Sequence, residues 1–287
     1  MKKVEEKLIL EHVKLAEGVY SLIYEEEHTE SYYPGQFVNL YFDDKSLLLP
    51  RPISICDVIE GDNAEAGEHG AAGGKGCVRL VYRVVGKGTE LLSTYRPGSR
   101  IRVSSPLGNG NFIYGTEAGG KIRSYKDQKV VLIGGGIGVP PMIYLARELS
   151  RLGAYVVGAL GYQDEVFLFE DMKKHCQEVY VSTDSGRAGF AGNVVEMLRE
   201  QKLEGVEFFG CGPKVMLRGL SEYAESVGAP CQVSLEERMG CGYGACVGCV
   251  CKIKVPSPDG SGSQKIVQKK VCKDGPVFFG QEVVWDE

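Results

Sequence analysis

A chain of 287 residues is long for one domain and predicts two or three. Its 43% hydrophobic and 25% charged residues are those of an ordinary globular protein, and a net charge of −5 with no basic run argues against nucleic acid as a partner. No apolar run reaches the roughly eighteen residues of a membrane span, and the first seven residues lack the apolar core of a signal peptide, so a cytoplasmic, reducing setting is expected, with the ten cysteines serving metal ligation or burial rather than disulfides.

The first third of the chain reads as β structure. Apolar or alternating stretches at 7–13, 19–24, 37–42, 53–59, 77–85 and 100–104 are divided by turn pairs such as Pro34-Gly35 and Pro97-Gly98, with one helix expected at 88–95. Short strands with this punctuation predict a closed Greek-key barrel over 1–115. Within it, 60–76 is rich in Gly, Ala and acid without periodicity and reads as a hairpin loop.

A polar, glycine-containing stretch at 117–127 marks a junction, after which the pattern changes. Strands at 129–134, 154–160, 179–183 and 206–210 alternate with helices at 140–152, 170–176, 193–201 and 213–227. That alternation implies a Rossmann-like, parallel, doubly wound α/β domain over 116–229. Its first strand runs into Gly134, Gly135, Gly136, Ile137, Gly138, Val139, Pro140 and Pro141. Glycines there let the backbone approach a pyrophosphate, and a helix starting at Pro140-Pro141 aims free N–H groups at it. Pro141 stands where the usual dinucleotide fingerprint has its third glycine. The third strand ends at Asp184, an acid that favours the free ribose of NAD over the 2′-phosphate of NADP; a solvated loop explains it nearly as well. The fourth runs into Cys211, Gly212 and Pro213 at the carboxyl edge where ligands gather, although Gly and Pro also serve simply to end a strand and start a helix.

The remaining segment, 230–287, carries Cys241, Cys246 and Cys249 in C-x4-C-x2-C spacing and a distant Cys272. That is the plant-type spacing of a [2Fe–2S] cluster. Gly242, Gly244 and Gly248 allow the loop to curl and its amides to approach sulfur. Zinc is the other chemistry four cysteines serve, but zinc ribbons prefer two C-x2-C pairs. Cys251 breaks the cluster spacing and reads as a bystander, while 252–255 and 265–268 read as strands flanking a polar loop. A zinc-stabilised binding module is the alternative from a different functional class.

Two domains in this order, with Arg51, Pro52, Ile53 and Ser54 ending one barrel strand, resemble the ferredoxin–NADP reductase superfamily. The resemblance implies FAD on the barrel. Arg51 would face the pyrophosphate and Ser54 the isoalloxazine, with Val81, Tyr82, Arg83, Gly88 and Thr89 as further contacts. It implies NAD(H) on the α/β domain at Gly135, Gly136, Gly138 and Pro141, with Cys211 beside the nicotinamide. Over nearly the whole chain the match is closer still to the electron-transfer subunits of NAD-dependent dihydroorotate dehydrogenase. Its most specific parts are Glu237 to Cys249 and Val271 to Phe278. That resemblance implies a role in pyrimidine biosynthesis and an FMN-containing catalytic subunit as partner in a heterotetramer. Electrons would then run from dihydroorotate through the cluster and FAD to NAD⁺. The related subunits of electron-bifurcating NADH-dependent ferredoxin–NADP oxidoreductase have Asp at the first ligand position, where this chain has Cys241; sulfur-reducing hydrogenase subunits are similar too. A flavin exchanges one or two electrons and so belongs between NAD and the cluster. Hydride transfer needs no acid or base, so no catalytic side chain is expected. His12, His28, His69 and His175 fall outside the motifs and are expected at the surface. Phe278, Phe279 and Trp285 are candidates for a docking rim or for core packing.

Overall fold

The computed structural model describes residues 3–61, 75–109, 112, 124–257 and 262–285. Six antiparallel strands close a barrel: β1 (Val4–Ala16), β2 (Val19–Glu26), β3 (Phe37–Tyr41), β4 (Arg51–Ile59), β5 (Gly76–Arg83) and β6 (Arg100–Ser104), in the order β1-β2-β5-β4-β3-β6. Helix α1 (Lys87–Ser93) links the last two. Strand alternation sorts the side chains. On β5, Val78, Leu80 and Tyr82 fill the barrel, while Val81 faces outward into the core shared with the next domain. Every strand expected in this region is present, with ends displaced by a few residues. The stretch 60–76 falls mostly outside the described residues, as does much of 117–127.

The second part alternates as its sequence implies: β7 (Lys129–Gly135), α2 (Val139–Arg151), β8 (Tyr155–Tyr162), α3 (Phe169–Lys173), β9 (Glu178–Thr183), β10 (Phe190–Ala191), α4 (Val194–Glu200), β11 (Glu207–Cys211), α5 (Lys214–Ser226) and β12 (Cys231–Ser234). The hairpin β13 (Val250–Pro256) and β14 (Gln264–Lys270), helix α6 (Val271–Asp274) and strand β15 (Val277–Phe279) complete the chain. The sheet order is β10-β9-β8-β7-β11-β12-β15, parallel except where β15 runs against β12. The C-terminal segment is therefore stitched to the nucleotide-type sheet by two of its own strands. Chain order reverses between β7 and β11, and such a reversal opens a crevice at the carboxyl ends of the two strands.

Helix α2 joins the two parts. Its apolar face buries Met142, Leu145 and Leu149, each worth about 1.5–3 kcal/mol. Its other side reaches the barrel: the Tyr144 hydroxyl donates to the Tyr32 carbonyl at 2.8 Å, and Arg147 holds the Val58 carbonyl and the Asp57 carboxylate. Arg79 of β5 pairs with Asp171 of α3 across the same seam. No helix among the described residues is long and apolar enough to cross a membrane.

One buried ion pair lies at the far end of the barrel. The Glu26 carboxylate, 5% exposed, accepts from Lys7 Nζ at 3.0 Å, from the Glu27 and His28 amides at 2.9 and 3.1 Å, and from the Tyr32 hydroxyl at 2.7 Å. Burial raises its pKa, but these donors outweigh burial and hold it below the usual carboxylate value. A depressed folded pKa stabilises above the unfolded value, and that stability is lost as pH falls through the acid range. Glu26→Gln should therefore cost about 3 kcal/mol at neutral pH in chemical denaturation, and the gap to wild type should narrow below about pH 4. A gap that stays constant down to pH 3 would count against this role.

Candidate functional site

Three groups of residues meet where the barrel, the sheet and the C-terminal segment adjoin. The first is built by two strands that part. Strands β4 and β5 pair from Ile59↔Cys77 up to Ile55↔Leu80. Beyond that point Arg51, Pro52, Ile53 and Ser54 pair only with β3 and are half-buried, while Val81, Tyr82 and Arg83 continue along β2. Gly88 of α1 comes against Arg51 here. A methyl group on Gly88 would stand 2.6 Å from the Arg51 guanidinium carbon and 2.7 Å from Nη2. Thr89 does not reach outward: its hydroxyl accepts from the Val85 amide at 2.9 Å and donates to the Gly86 carbonyl at 3.0 Å, locking the turn into α1. A guanidinium held over a glycine backbone, beside strand edges released from their ladder, is a donor set that fits an anionic, flat-ringed ligand such as FAD.

Within this group the side chains divide by strand parity. Tyr82 is 1% exposed and points into the barrel, so only its backbone is available outside. Its hydroxyl is 2.9 Å from His12 Nε2, and His12 Nδ1 lies 2.9 Å from the Tyr95 carbonyl. The expected surface position of His12 is thus corrected: it is half-buried and bonded at both ring nitrogens, because β1 turns it toward β5 through β2. Since a carbonyl can only accept, Nδ1 carries the proton there. His175 is also half-buried, His28 is exposed, and His69 lies outside the described residues.

The second group occupies the crevice between β7 and β11. Gly134 and Gly135 end β7, a short 3-10 turn spans Gly136–Gly138, and Pro140 and Pro141 stand in the first turn of α2. Gly138 lies against the backbone of β11: a methyl group there would collide with the Cys211 carbonyl and stand 2.6 Å from the Gly212 nitrogen. Gly135 packs on Pro213 and on the Met216 thioether. The structure thus brings Gly135, Gly138, Cys211, Gly212 and Pro213 together, and leaves Gly136 facing open space at φ +54°. Asp184 follows β9, two strands out from β7 along the same edge, and is exposed. Cys211 is buried, and burial raises its thiol pKa. Strand ends, glycines and a helix start at a switch point fit a dinucleotide.

The third group is the cysteine set. The Cys241 sulfur accepts from the Cys246 amide at 3.4 Å, and the Cys246 side chain adjoins it. Cys249 and Cys272 are both buried and their sulfurs adjoin, with the Cys249 carbonyl accepting from the Val271 amide at 2.9 Å. No three Cys, His, Asp or Glu side chains among the described residues gather as ligands of one metal ion. The sulfurs meet as two pairs instead, which suits a two-iron cluster with two cysteines on each iron. Burial opposes a charge on Cys241, yet the amides of Cys246, Tyr243 and Ala245 bring its pKa down to about 6. Burial and the neighbouring Cys249 push Cys272 up to about 12, so loading the site must expel a proton there. Cys251 sits on the hairpin opposite Lys269, and burial raises it to about 11. Phe278, Phe279 and Trp285 are half-buried; Phe278 and Trp285 pack on the core behind this segment, and the Trp285 indole donates to the Gly280 carbonyl at 3.0 Å.

The cysteine loop is tied to the rest of the molecule by residues that no motif singled out. Asn39 Nδ2, on β3, donates to the Cys241 carbonyl at 3.0 Å. Lys270 Nζ donates to the Gly244 carbonyl at 2.7 Å, and the Lys273 stem lies against Gly244. No local pattern marks Asn39, since it is a single polar residue in an apolar strand; that oddity is the one signal available.

The chain is similar to known proteins in sequence and fold. A family model described as the iron-sulfur cluster binding domain of dihydroorotate dehydrogenase B matches residues 236–284. A protein of Geobacillus thermodenitrificans named as the electron transfer subunit of dihydroorotate dehydrogenase B (NAD(+)) is 39% identical over 88% of this chain and 86% of its own length. One of the same name from Fusobacterium nucleatum is 35% identical over 98% of each chain. Among solved structures, an NADH-dependent reduced ferredoxin-NADP oxidoreductase studied for flavin-based electron bifurcation superposes with a TM-score of 0.76 at 26% identity, covering 98% of this chain and 90% of that one. A ferredoxin NADP+ reductase from Neisseria gonorrhoeae with bound FAD and NADP shares the fold at a TM-score of 0.59 and 17% identity, over 79% of this chain and 92% of its own.

Proposed function

The chain belongs to the family of dihydroorotate dehydrogenase B electron transfer subunits, and from that premise we propose that it passes electrons between a dihydroorotate-oxidising partner and NAD(H). The observation that carries the reading is the paired set Cys241–Cys246 and Cys249–Cys272, held against a barrel strand that neighbours the Arg51–Gly88 contact. When bound, FAD exchanges electrons singly or in pairs and so joins the hydride chemistry of NAD(H) to a [2Fe–2S] cluster that moves one at a time.

Each residue's part is binding and orientation. Arg51 supplies the charge for the FAD pyrophosphate, and Gly88 keeps the space beside the guanidinium clear. Ser54 offers a hydroxyl at the parting of β4 and β5, with Pro52 and Ile53 lining the same edge. Val81 closes that edge from the sheet side, Tyr82 contributes backbone and Arg83 stays exposed. Gly135, Gly136 and Gly138, with Pro141 and Cys211, Gly212 and Pro213, receive NAD(H) in the crevice, and Asp184 favours a free ribose. Cys241, Cys246, Cys249 and Cys272 ligate the cluster. Arg51 and the glycines place their groups, and no side chain is assigned a proton to move. The partner is an FMN-containing catalytic subunit in a cytoplasmic heterotetramer serving pyrimidine biosynthesis; neither nucleic acid nor membrane takes part.

Purified anaerobically by itself, the protein should carry one flavin and two irons per chain, bleach with NADH, and leave dihydroorotate untouched until the partner subunit is added. Oxidation of dihydroorotate by this chain without flavin would overturn the assignment. A colourless protein holding one zinc would favour a binding module instead.

A further inference from the structure

We propose that Asn39 is a positioning residue that fixes the cluster loop on the flavin-binding barrel and thereby sets the electronic environment of the cluster and the rate at which NADH reduces it. The inference rests on the electron-transfer reading above. Asn39 is wholly buried on β3. Its backbone amide donates to the Ser104 hydroxyl at 2.9 Å, which ties it to β6. It stands opposite Pro52 in register, between the pairs Leu40↔Arg51 and Phe37↔Ser54, and so adjoins the strand that carries the flavin motif. Its side chain then spans to Cys241, the first cluster ligand and 202 residues away in sequence, with Nδ2 donating to that carbonyl.

The loop is shaped to receive this amide. Gly242 has φ +77°, and a methyl group on it would stand 2.8 Å from Asn39 Oδ1 and 3.0 Å from Cγ. Two glycine properties, the left-handed backbone and the absent side chain, are thus used at one residue for one contact. The amide's orientation follows from the carbonyl it meets, since only the NH₂ end can face an acceptor. Its other end, Oδ1, is buried without a hydrogen-bond partner among the described residues. A buried, half-satisfied amide is unfavourable in a barrel strand, where a leucine would pack better. Its presence is accounted for by the bond to Cys241. That bond holds the Cys241–Gly242 peptide, and with it the curl that aims the Cys246 amide at the Cys241 sulfur. Partners one shell out from a metal ligand commonly change its properties 10- to 100-fold.

The test uses the full chain, purified anaerobically with FAD and cluster. Asn39→Leu keeps the size of the side chain and removes both polar ends. The expected result is unchanged FAD content, a shifted EPR spectrum and reduction potential of the cluster, and cluster reduction by NADH slowed by roughly tenfold or more in stopped flow. Bleaching of the flavin by NADH should keep its wild-type rate, which separates this role from a general loss of stability. Asn39→Ala, which removes the same amide without adding bulk or touching the cluster loop, should reproduce the shift and decides the matter if Asn39→Leu does not fold. Wild-type EPR and wild-type cluster reduction in the folded variants would overturn the proposal. A wild-type chain whose cluster NADH cannot reduce would sink the electron-transfer reading itself, while the EPR comparison would still decide the Asn39 contact.

Discussion

Cys249→Ser should leave a yellow protein without its cluster: iron falling from two atoms per chain to near none, flavin retained, and NADH still reducing an artificial two-electron acceptor. Electron passage to the partner subunit should drop by more than about 100-fold, since even a group one shell beyond a ligand can cost that much. Cys249 is 1% exposed and shares a core with Ile253, Val271, Cys272 and Val283, so its serine replacement also buries a hydroxyl among apolar neighbours. The flavin site should survive because the barrel has its own core of Leu22, Val38, Leu40, Ile55 and Leu80, separate from that one. Part of the folding free energy of 230–287 comes from binding the cluster, so the thermal transition should shift downward as well. Cys251→Ser is the control. It sits within the β13–β14 ladder opposite Lys269 and outside the C-x4-C-x2-C spacing, so iron content should not change. A full cluster in Cys249→Ser, or its loss in Cys251→Ser, would reverse the ligand assignment.

Gly88→Ala should weaken FAD binding by about 100-fold while leaving the apoprotein as stable as before or slightly more so. The two effects separate for a structural reason. Gly88 lies inside α1 and is absent from the positive-φ residues, so alanine suits the backbone, and its helix propensity is better by about 1 kcal/mol. What the new methyl group meets is the Arg51 guanidinium, the far end of a flexible side chain that can swing aside at little cost to the fold. The displaced guanidinium then no longer stands where a pyrophosphate would be held. Arg51→Ala should match this loss, and Arg51→Lys should recover only part of it, because an ammonium lacks the planar fork. Flavin fluorescence on dilution reads all three. Equal FAD retention in Gly88→Ala and wild type would remove Arg51 from the flavin site.

The C-x4-C-x2-C spacing is a local property, because a curled loop around a small core needs its ligands at short, set intervals. The strand-to-helix alternation from β7 to α5 was visible for a similar reason: side-chain period follows from backbone geometry over a few residues. The glycine-rich turn after β7 was readable too, as was the Arg51 to Ser54 element, since both are runs of adjacent residues.

Contacts between distant segments were not legible. That β12 and β15 extend the nucleotide-type sheet depends on which edge the chain returns to after the cysteine loop, and four- and three-residue strands carry too little pattern to say so. Tyr82 belongs to a flavin motif by sequence, but barrel closure turns its ring inward onto His12. Gly138 could be seen to favour a close approach, but not that Cys211 is what approaches. Composition, spacing and periodicity by themselves determined the three kinds of structure and their order and marked four cysteines as candidate ligands, because each is written within a turn or a strand. Tertiary structure alone placed Arg51 over Gly88, β11 against Gly138 and Asn39 on Cys241, because strand register and barrel closure decide which far-apart residues share a surface.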